Sequence, residues 1–244
     1  MKVGTSNLAG AVVATPEGRL DLASYPVLRD TLLKLAADDP LALVVRLGPA
    51  FEVPSRAMLA VFTTVWMRIS QWPDIPLVLV TETESHRDEV RASGVGRFVR
   101  TAANLQEALD VVERPPHRRF RRIPLPNSPT APIMARAVVR EACELWGLDR
   151  LVNDAVLVVS ELVENAVRYA RSESMLRVEL RPSGLSIAVR DDDPTPPVLE
   201  SPGPEVVGHR GLQLVNRLCV AWGCAPSSDG GKIVWAVLGL RGGE

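Results

Sequence analysis

The chain has 244 residues, 46% hydrophobic and 23% charged, with a formal net charge of -1 at pH 7, and it exceeds the usual single-domain size of about 100–150 residues, so two compact units are expected. The near-neutral balance gives no global reason to expect direct nucleic-acid binding, and no apolar run approaches the roughly 20 residues that cross a bilayer, so no membrane partner is expected either. The opening MKVGTSNLAGAVVATPEGRL lacks the apolar core of a secretory signal, and Cys143, Cys219 and Cys224 show no CxxC pairing, which together point to reduced thiols in a cytoplasmic protein.

In chain order, the first half alternates strand-like and helix-like text. Ala11–Thr15, Leu41–Leu47 and Leu77–Thr81 read as strands, each followed by a segment with helical spacing. Ser24 before Tyr25-Pro26 predicts an N-cap with proline in the first turn, and Val27, Leu28, Leu32 and Leu35 line one face of the helix that follows. Asn104 with Glu107 predicts a capping box for a helix over Asn104–Val112. Gly94 and Gly96 punctuate a last short strand around Phe98. The alternation implies an α/β unit, a small sheet with helices packed on it.

Over 113–132 the text becomes ERPPHRRFRRIPLPNSPTAP, where closely spaced prolines supply no backbone donors and the arginines resist burial. A unit over 1–113, an Arg/Pro-rich linker over 114–132 and a second unit over 133–244 are therefore expected. The arginines between 118 and 122 are either a solvated run or a contact for an acidic partner or a phosphate.

The second half begins with helical periodicity. Ile133–Trp146, stopped by Gly147, predicts one helix, and a longer one runs from Asp149 or Arg150 to Ala170, with Val152, Ala155, Val156, Val159, Leu162, Val163 and Ala166 as its apolar side. Met175–Arg181 and Leu185–Arg190 flank Pro182-Ser183-Gly184 and read as a hairpin. After a proline-rich acidic stretch, Asp191–Val207, come a short helix from Gly211 to Leu218 and strands around Trp222–Ala225 and Lys232–Leu240. The order ααββ, loop, αββ implies an α+β unit.

Glu161 and Asn165 lie four apart, so they project from one face of the longer helix. An asparagine carbonyl suits Mg2+, and a carboxylate one turn away can accept a proton from an incoming hydroxyl. The same residues would also suit a solvated face supported by a Glu164–Arg168 pair. Asp191 closes a hairpin strand, where a carboxylate can accept a hydrogen bond from an exocyclic amino group, and where an acidic run can equally begin a loop. Gly208-His209-Arg210-Gly211 precedes a helix; glycines let backbone approach a phosphate, helix-start N–H groups point at it, and Arg210 can add a charged fork. His209 has no metal-ligand spacing with His86 or His117 and reads as a surface histidine.

Taken in order, VVSELVENAVRYA, VRDDDP, GHRGLQLVNRL and GGKIVWAVL resemble the ATP-binding domains of the histidine-kinase, gyrase and Hsp90 type, and among them the anti-sigma-factor serine kinases. The resemblance covers about Arg119–Leu240 and implies a Bergerat-type α/β sandwich. It assigns Glu161 as general base, Asn165 as magnesium ligand, Asp191 as adenine reader, Gly208 to Gly211 with Arg210 as phosphate loop, and Asp192–Val207 as lid. Two places depart from the family pattern: Asp193 and Thr195 stand where D-x-G-x-G has glycines, and His209 interrupts the phosphate loop. The first half resembles the STAS domains of anti-sigma-factor antagonists through GRLDLAS (18–24), LALVVRL (41–47) and GVGRFVRTAANLQEAL (94–109). Those antagonists carry a D-S-S-G segment whose second serine is phosphorylated. Here Val53-Pro54-Ser55-Arg56 stands in its place, so Ser55 is either the phosphoacceptor or an ordinary helix-start serine.

Two functions follow from these resemblances. One is a Mg2+- and ATP-dependent serine/threonine protein kinase that grips a sigma factor or an antagonist and controls transcription by partner switching, acting as a homodimer as related kinases do. The other is a nucleotide-gated interaction module with little phosphotransfer. Intact Glu161 and Asn165 favour the first, and the altered aspartate loop, phosphate loop and serine segment favour the second.

Overall fold

The computed structural model describes residues 1–110, 119–182, 184–197 and 211–240, and the chain divides into two compact units, Met1–Pro116 and His117–Glu244. In the first, β1 (Lys2–Leu8) and β2 (Ala11–Arg19) pair antiparallel. Helix α1 (Ser24–Ala37) then leads to β3 (Leu43–Leu47), which lies parallel to β2, and β4 (Phe51–Glu52) pairs with the far end of β2. After α2 (Ala60–Gln71) come β5 (Leu77–Thr81), α3 (Glu84–Ser93), β6 (Arg100–Ala102) and α4 (Leu105–Asp110). The strand order is β1-β2-β3-β5-β6, with every contact after the first hairpin parallel.

Parallel strands joined by helical crossovers are covered on both faces, which is why LVVRL and LVLVT read as nearly continuous apolar runs. Strand alternation divides their side chains. Leu43, Val45, Leu47, Leu77 and Leu79 pack with Leu28, Leu32, Phe62 and Val65, whereas Val44, Val78 and Val80 pack with Ala108 and Leu109.

Three local expectations are corrected. Ser24 is the first residue of α1 rather than its cap; its hydroxyl donates to the Arg19 carbonyl at 2.7 Å, while the Asp21 carboxylate accepts from the Ser24 and Ala23 N–H groups at 2.9 and 3.1 Å. An ionised carboxylate is acceptor-only, so its one oxygen can take both donors at once. The strand expected around Phe98 begins instead at Arg100, because Val95–Arg97 form a 3-10 turn that leaves Phe98 51% exposed with its ring 5.5 Å from that of Trp66. The box at Asn104 forms, with Asn104 Oδ1 accepting from Glu107 N–H at 2.9 Å, but Glu107 reaches back to Ala103 N–H, at 2.8 Å, rather than to Asn104. The expected continuation of that helix to Val112 lies outside the described residues.

The second unit contains β7 (Arg119–Leu125), α5 (Ala131–Trp146), α6 (Val152–Tyr169), β8 (Ser174–Arg181), β9 (Gly184–Asp191), α7 (Gly211–Leu218), β10 (Ala221–Pro226) and β11 (Lys232–Leu238). The sheet is antiparallel in the order β10-β11-β9-β8-β7. Leu176, Val178, Ile187, Val189, Val234 and Ala236 make one face and pack against Val139 and Ala142 of α5 and Val158, Val159, Leu162, Val163 and Ala166 of α6. A helical layer on one sheet face is the α/β sandwich expected of this half. Helix α5 stops at Gly147, whose left-handed backbone (φ 69°) closes the last turn.

Arg119–Leu125, read from sequence as part of a linker, is the edge strand of this sheet, with Pro124 opposite Met175. Edge pairing uses the backbone on one side only, so it tolerates both a proline without a donor and arginines that stay in water. The cysteines are free, and burial, with Asp154 nearby, pushes the Cys219 thiol up to about 12, which suits an unreactive filler. No helix among the described residues is long and apolar enough to cross a membrane.

Candidate functional site

The 3.6-residue period of α6 turns Leu162, Val163 and Ala166 into the core and leaves Glu161 and Asn165 half-buried at the margin, with Glu164 and Arg168 exposed beyond them. The expected shared face therefore forms. The Asn165 amide makes no hydrogen bond among the described residues, so its carbonyl is available as an oxygen ligand. Burial raises the Glu161 carboxyl above the ordinary glutamate range, the Glu164 carboxylate adds to this, and Arg168 partly opposes it. A carboxylate of this kind is better placed to take a proton than one in open water.

Helix α7 begins directly against this group. A Cβ at Gly211 would run into the Glu161 carboxylate, with Cδ 2.8 Å away, so the backbone of the first turn lies directly against that side chain, and a larger residue there would have to displace it. Val215, fully buried one turn on, holds α7 in the same core as α6. Gly208, His209 and Arg210 of the expected phosphate loop, and the expected lid from Val198 to Val207, lie outside the described residues.

Asp191 closes β9 and is 1% exposed. By alternation it shares the sheet face of Ile187 and Val189, the face covered by α6. Lys232, directly opposite on β11, is 3% exposed and donates from Nζ to Asp191 Oδ1 at 2.9 Å, to the Asp193 carbonyl at 3.0 Å and to Asp193 Oδ2 at 3.0 Å. Burial pushes the Asp191 carboxyl up and Lys232 opposes the shift. At Gly231 a Cβ would meet the Asp191 carbonyl and Asp192 Cα, at 2.8 Å for the latter.

The structure thus brings Glu161 against Gly211 and sets Asp191 on the sheet face beneath α6, while Ser55 belongs to the first unit. Ser55 is exposed, its backbone is extended (φ −138°, ψ 125°) ahead of a 3-10 turn over Arg56–Leu59, and its hydroxyl makes no capping bond. Lys232 and Asp193 were missed as partners of Asp191. One signal existed: in KIVWAVL the lysine falls in register with the inward Val234 and Ala236.

Among the described residues no group of three or more His, Cys, Asp or Glu is disposed to hold a metal. The donors present fit a nucleotide-bound cation rather than an all-protein cage, since Mg2+ is held by one or two protein oxygens plus phosphates and water.

Residues 125–238 match the family model of the histidine kinase-like ATPase domain. No curated protein matches the chain. Among solved structures, the chain is similar to an anti-sigma factor antagonist from Mycobacterium paratuberculosis at 21% identity, covering 46% of this chain and 94% of that one with a TM-score of 0.39. A variant of RsbS from Moorella thermoacetica is 23% identical over 46% of this chain and 96% of that one, with a TM-score of 0.39. The anti-sigma factor antagonist SpoIIAA in its unphosphorylated form is 16% identical over 46% and 96%, with a TM-score of 0.37.

Proposed function

We propose that the second unit binds ATP with Mg2+ and that the protein is a cytoplasmic partner-switching regulator of the anti-sigma-factor kinase type, transferring phosphate from ATP to a serine of an antagonist protein. The observation that carries this reading is the half-buried Glu161 carboxylate packed against the glycine that opens α7, one helical turn from Asn165. Asn165 would hold the cation, which would supply charge neutralisation at the transferring phosphate. Glu161 accepts the proton of the attacking serine hydroxyl, helped by a raised proton affinity. Asp191 receives the exocyclic amino group of the base, and the N-terminal turn of α7 presents backbone N–H groups to phosphate oxygens. The first unit, resembling an antagonist in its own sequence, is the docking half; a sigma factor or an antagonist is the partner, and two copies form the working homodimer.

Incubation with Mg2+ and γ-labelled ATP, beside an Asn165→Ala control and with phosphosite mapping by mass spectrometry, tests this. Label on an added antagonist serine or on Ser55, lost in Glu161→Ala while nucleotide binding persists, is expected. Equal transfer by Glu161→Ala and the parent removes the assigned role of Glu161. The exposed position and extended backbone of Ser55 support it as an internal acceptor, and Ser55→Ala then eliminates label on the chain itself.

A second reading is favoured by the Lys232–Asp191–Asp193 cluster, which already occupies one oxygen of the base-reading carboxylate. Here the unit is a nucleotide-gated interaction module, and binding without label in the presence of any antagonist serine distinguishes it.

A further inference from the structure

Lys232 is a buried cation to which the proposed phosphotransfer assigns no step. Its three bonds, to Asp191 Oδ1 at 2.9 Å and to the carbonyl and Oδ2 of Asp193 at 3.0 Å each, engage every proton an ammonium carries. Asp191 Oδ1 receives a second bond from the Asp193 N–H at 3.0 Å. Among the described residues no hydrogen bond goes to Asp191 Oδ2. The carboxylate is therefore clamped through one oxygen and left with the other as its unused acceptor.

The backbone on which this clamp sits is itself held. On the opposite side of the β9 end, Arg190 bonds Ser227 at 3.1 Å and Asp229 at 3.1 Å, and pairs with Asp192 at 3.2 Å. Gly231 brings the start of β11 against the backbone of Asp191 and Asp192 so closely that no Cβ fits between them. Stability alone is a poor explanation for an ion pair at 4% and 2% side-chain exposure, because a buried pair recovers little more than its desolvation cost and apolar residues of equal volume do as well. What the ammonium supplies and an apolar residue cannot is a carboxylate kept ionised and fixed in orientation in a buried place.

We propose that Lys232 is a positioning residue for base selection: with the Asp193 N–H it holds Asp191 so that Oδ2 accepts from the amino group of a 6-aminopurine and repels the carbonyl of a 6-oxopurine. The proposal rests on the nucleotide-site reading of this unit. It also gives Asp193 a role at a place where a glycine was expected: its side chain and carbonyl anchor the lysine. A site that hydrogen-bonds a substrate N–H rejects the analogue lacking it, because its buried acceptor is left unpaired.

The test is calorimetric titration of the full chain with Mg2+ plus ADP or inosine diphosphate, for the parent, Lys232→Met and Asp193→Asn, with far-UV circular dichroism to establish folding. The parent is expected to prefer ADP by about 100-fold or more, Lys232→Met to bring the two affinities within about threefold of each other, and Asp193→Asn to fall between. A purely structural lysine would weaken both nucleotides together and leave their ratio unchanged. An unchanged ratio in the folded variants, with the parent preferring ADP, overturns the role of Lys232 while leaving the nucleotide site standing. If Lys232→Met fails to fold, Asp193→Asn decides by the same ratio. A parent that binds neither nucleotide overturns the site reading itself.

Discussion

In the role proposed for it, Glu161 trades stability for chemistry. Its carboxyl is raised by burial and by Glu164, so the folded protein holds that proton more tightly than the unfolded chain does. The associated stability is fully present below the ordinary glutamate value of about 4.3 and is lost as pH rises through the raised value. Glu161→Gln removes the charge at every pH, so it should raise the thermal midpoint of the nucleotide-free protein by a few degrees at pH 7.5. Near pH 4 the difference should vanish; a constant offset across that range would show that Glu161 is not held in a desolvating environment. Glu161 and Asn165 were legible from their spacing because both lie on one helix, where four residues is one turn. Lys232 was not, since its partner Asp191 is 41 residues away and only strand register brings them together.

At the scale of the element, α6 holds Glu161 and Asn165 in place because its apolar side is anchored. Leu162, 1% exposed and adjacent to Glu161, packs in the core beneath it. Leu162→Ala should cost about 2–5 kcal/mol in urea unfolding and loosen the site from below. The β9–β11 contact is equally constrained: at Gly231 an added Cβ meets backbone rather than a flexible side-chain end. Gly231→Ala should therefore cost about 1–3 kcal/mol and reduce nucleotide affinity, and a neutral result in both assays would mean the two strand ends part without consequence. Elements with strong periodicity were readable, among them β5, found over Leu77–Thr81 as its apolar run predicts. The edge strand β10 was found around Trp222–Ala225 as expected, whereas the edge strands β1 and β7 were not readable. Six of the seven residues of β1 are exposed, as are most of those in β7, so neither shows the inward–outward alternation by which strands are recognised.

For the whole molecule, the two units possess their own cores, one built around β3 and β5 and one around α5, α6 and the second sheet. That the chain contains two such units followed from its length, whereas the place of Arg119–Leu125 did not, because arginine and proline describe a solvated edge strand as well as a tether. The match to the histidine kinase-like ATPase family falls on 125–238, inside the second unit. A ligand bound by the folded unit alone stabilises it by mass action, about 2.7 kcal/mol at 100 times the dissociation constant. Saturating Mg2+ and ATP should thus raise the thermal midpoint, and Mg2+ alone should not.

The most direct measurement is calorimetric titration of ATP into the protein and into Asn165→Ala, each with Mg2+ and with EDTA. The parent should bind only when Mg2+ is present, and Asn165→Ala, with unchanged circular dichroism, should lose at least about tenfold in affinity, since one protein oxygen of a sparsely ligated cation is removed. Equal affinity in parent and variant, with or without Mg2+, would contradict the assignment of this helix face as a nucleotide site.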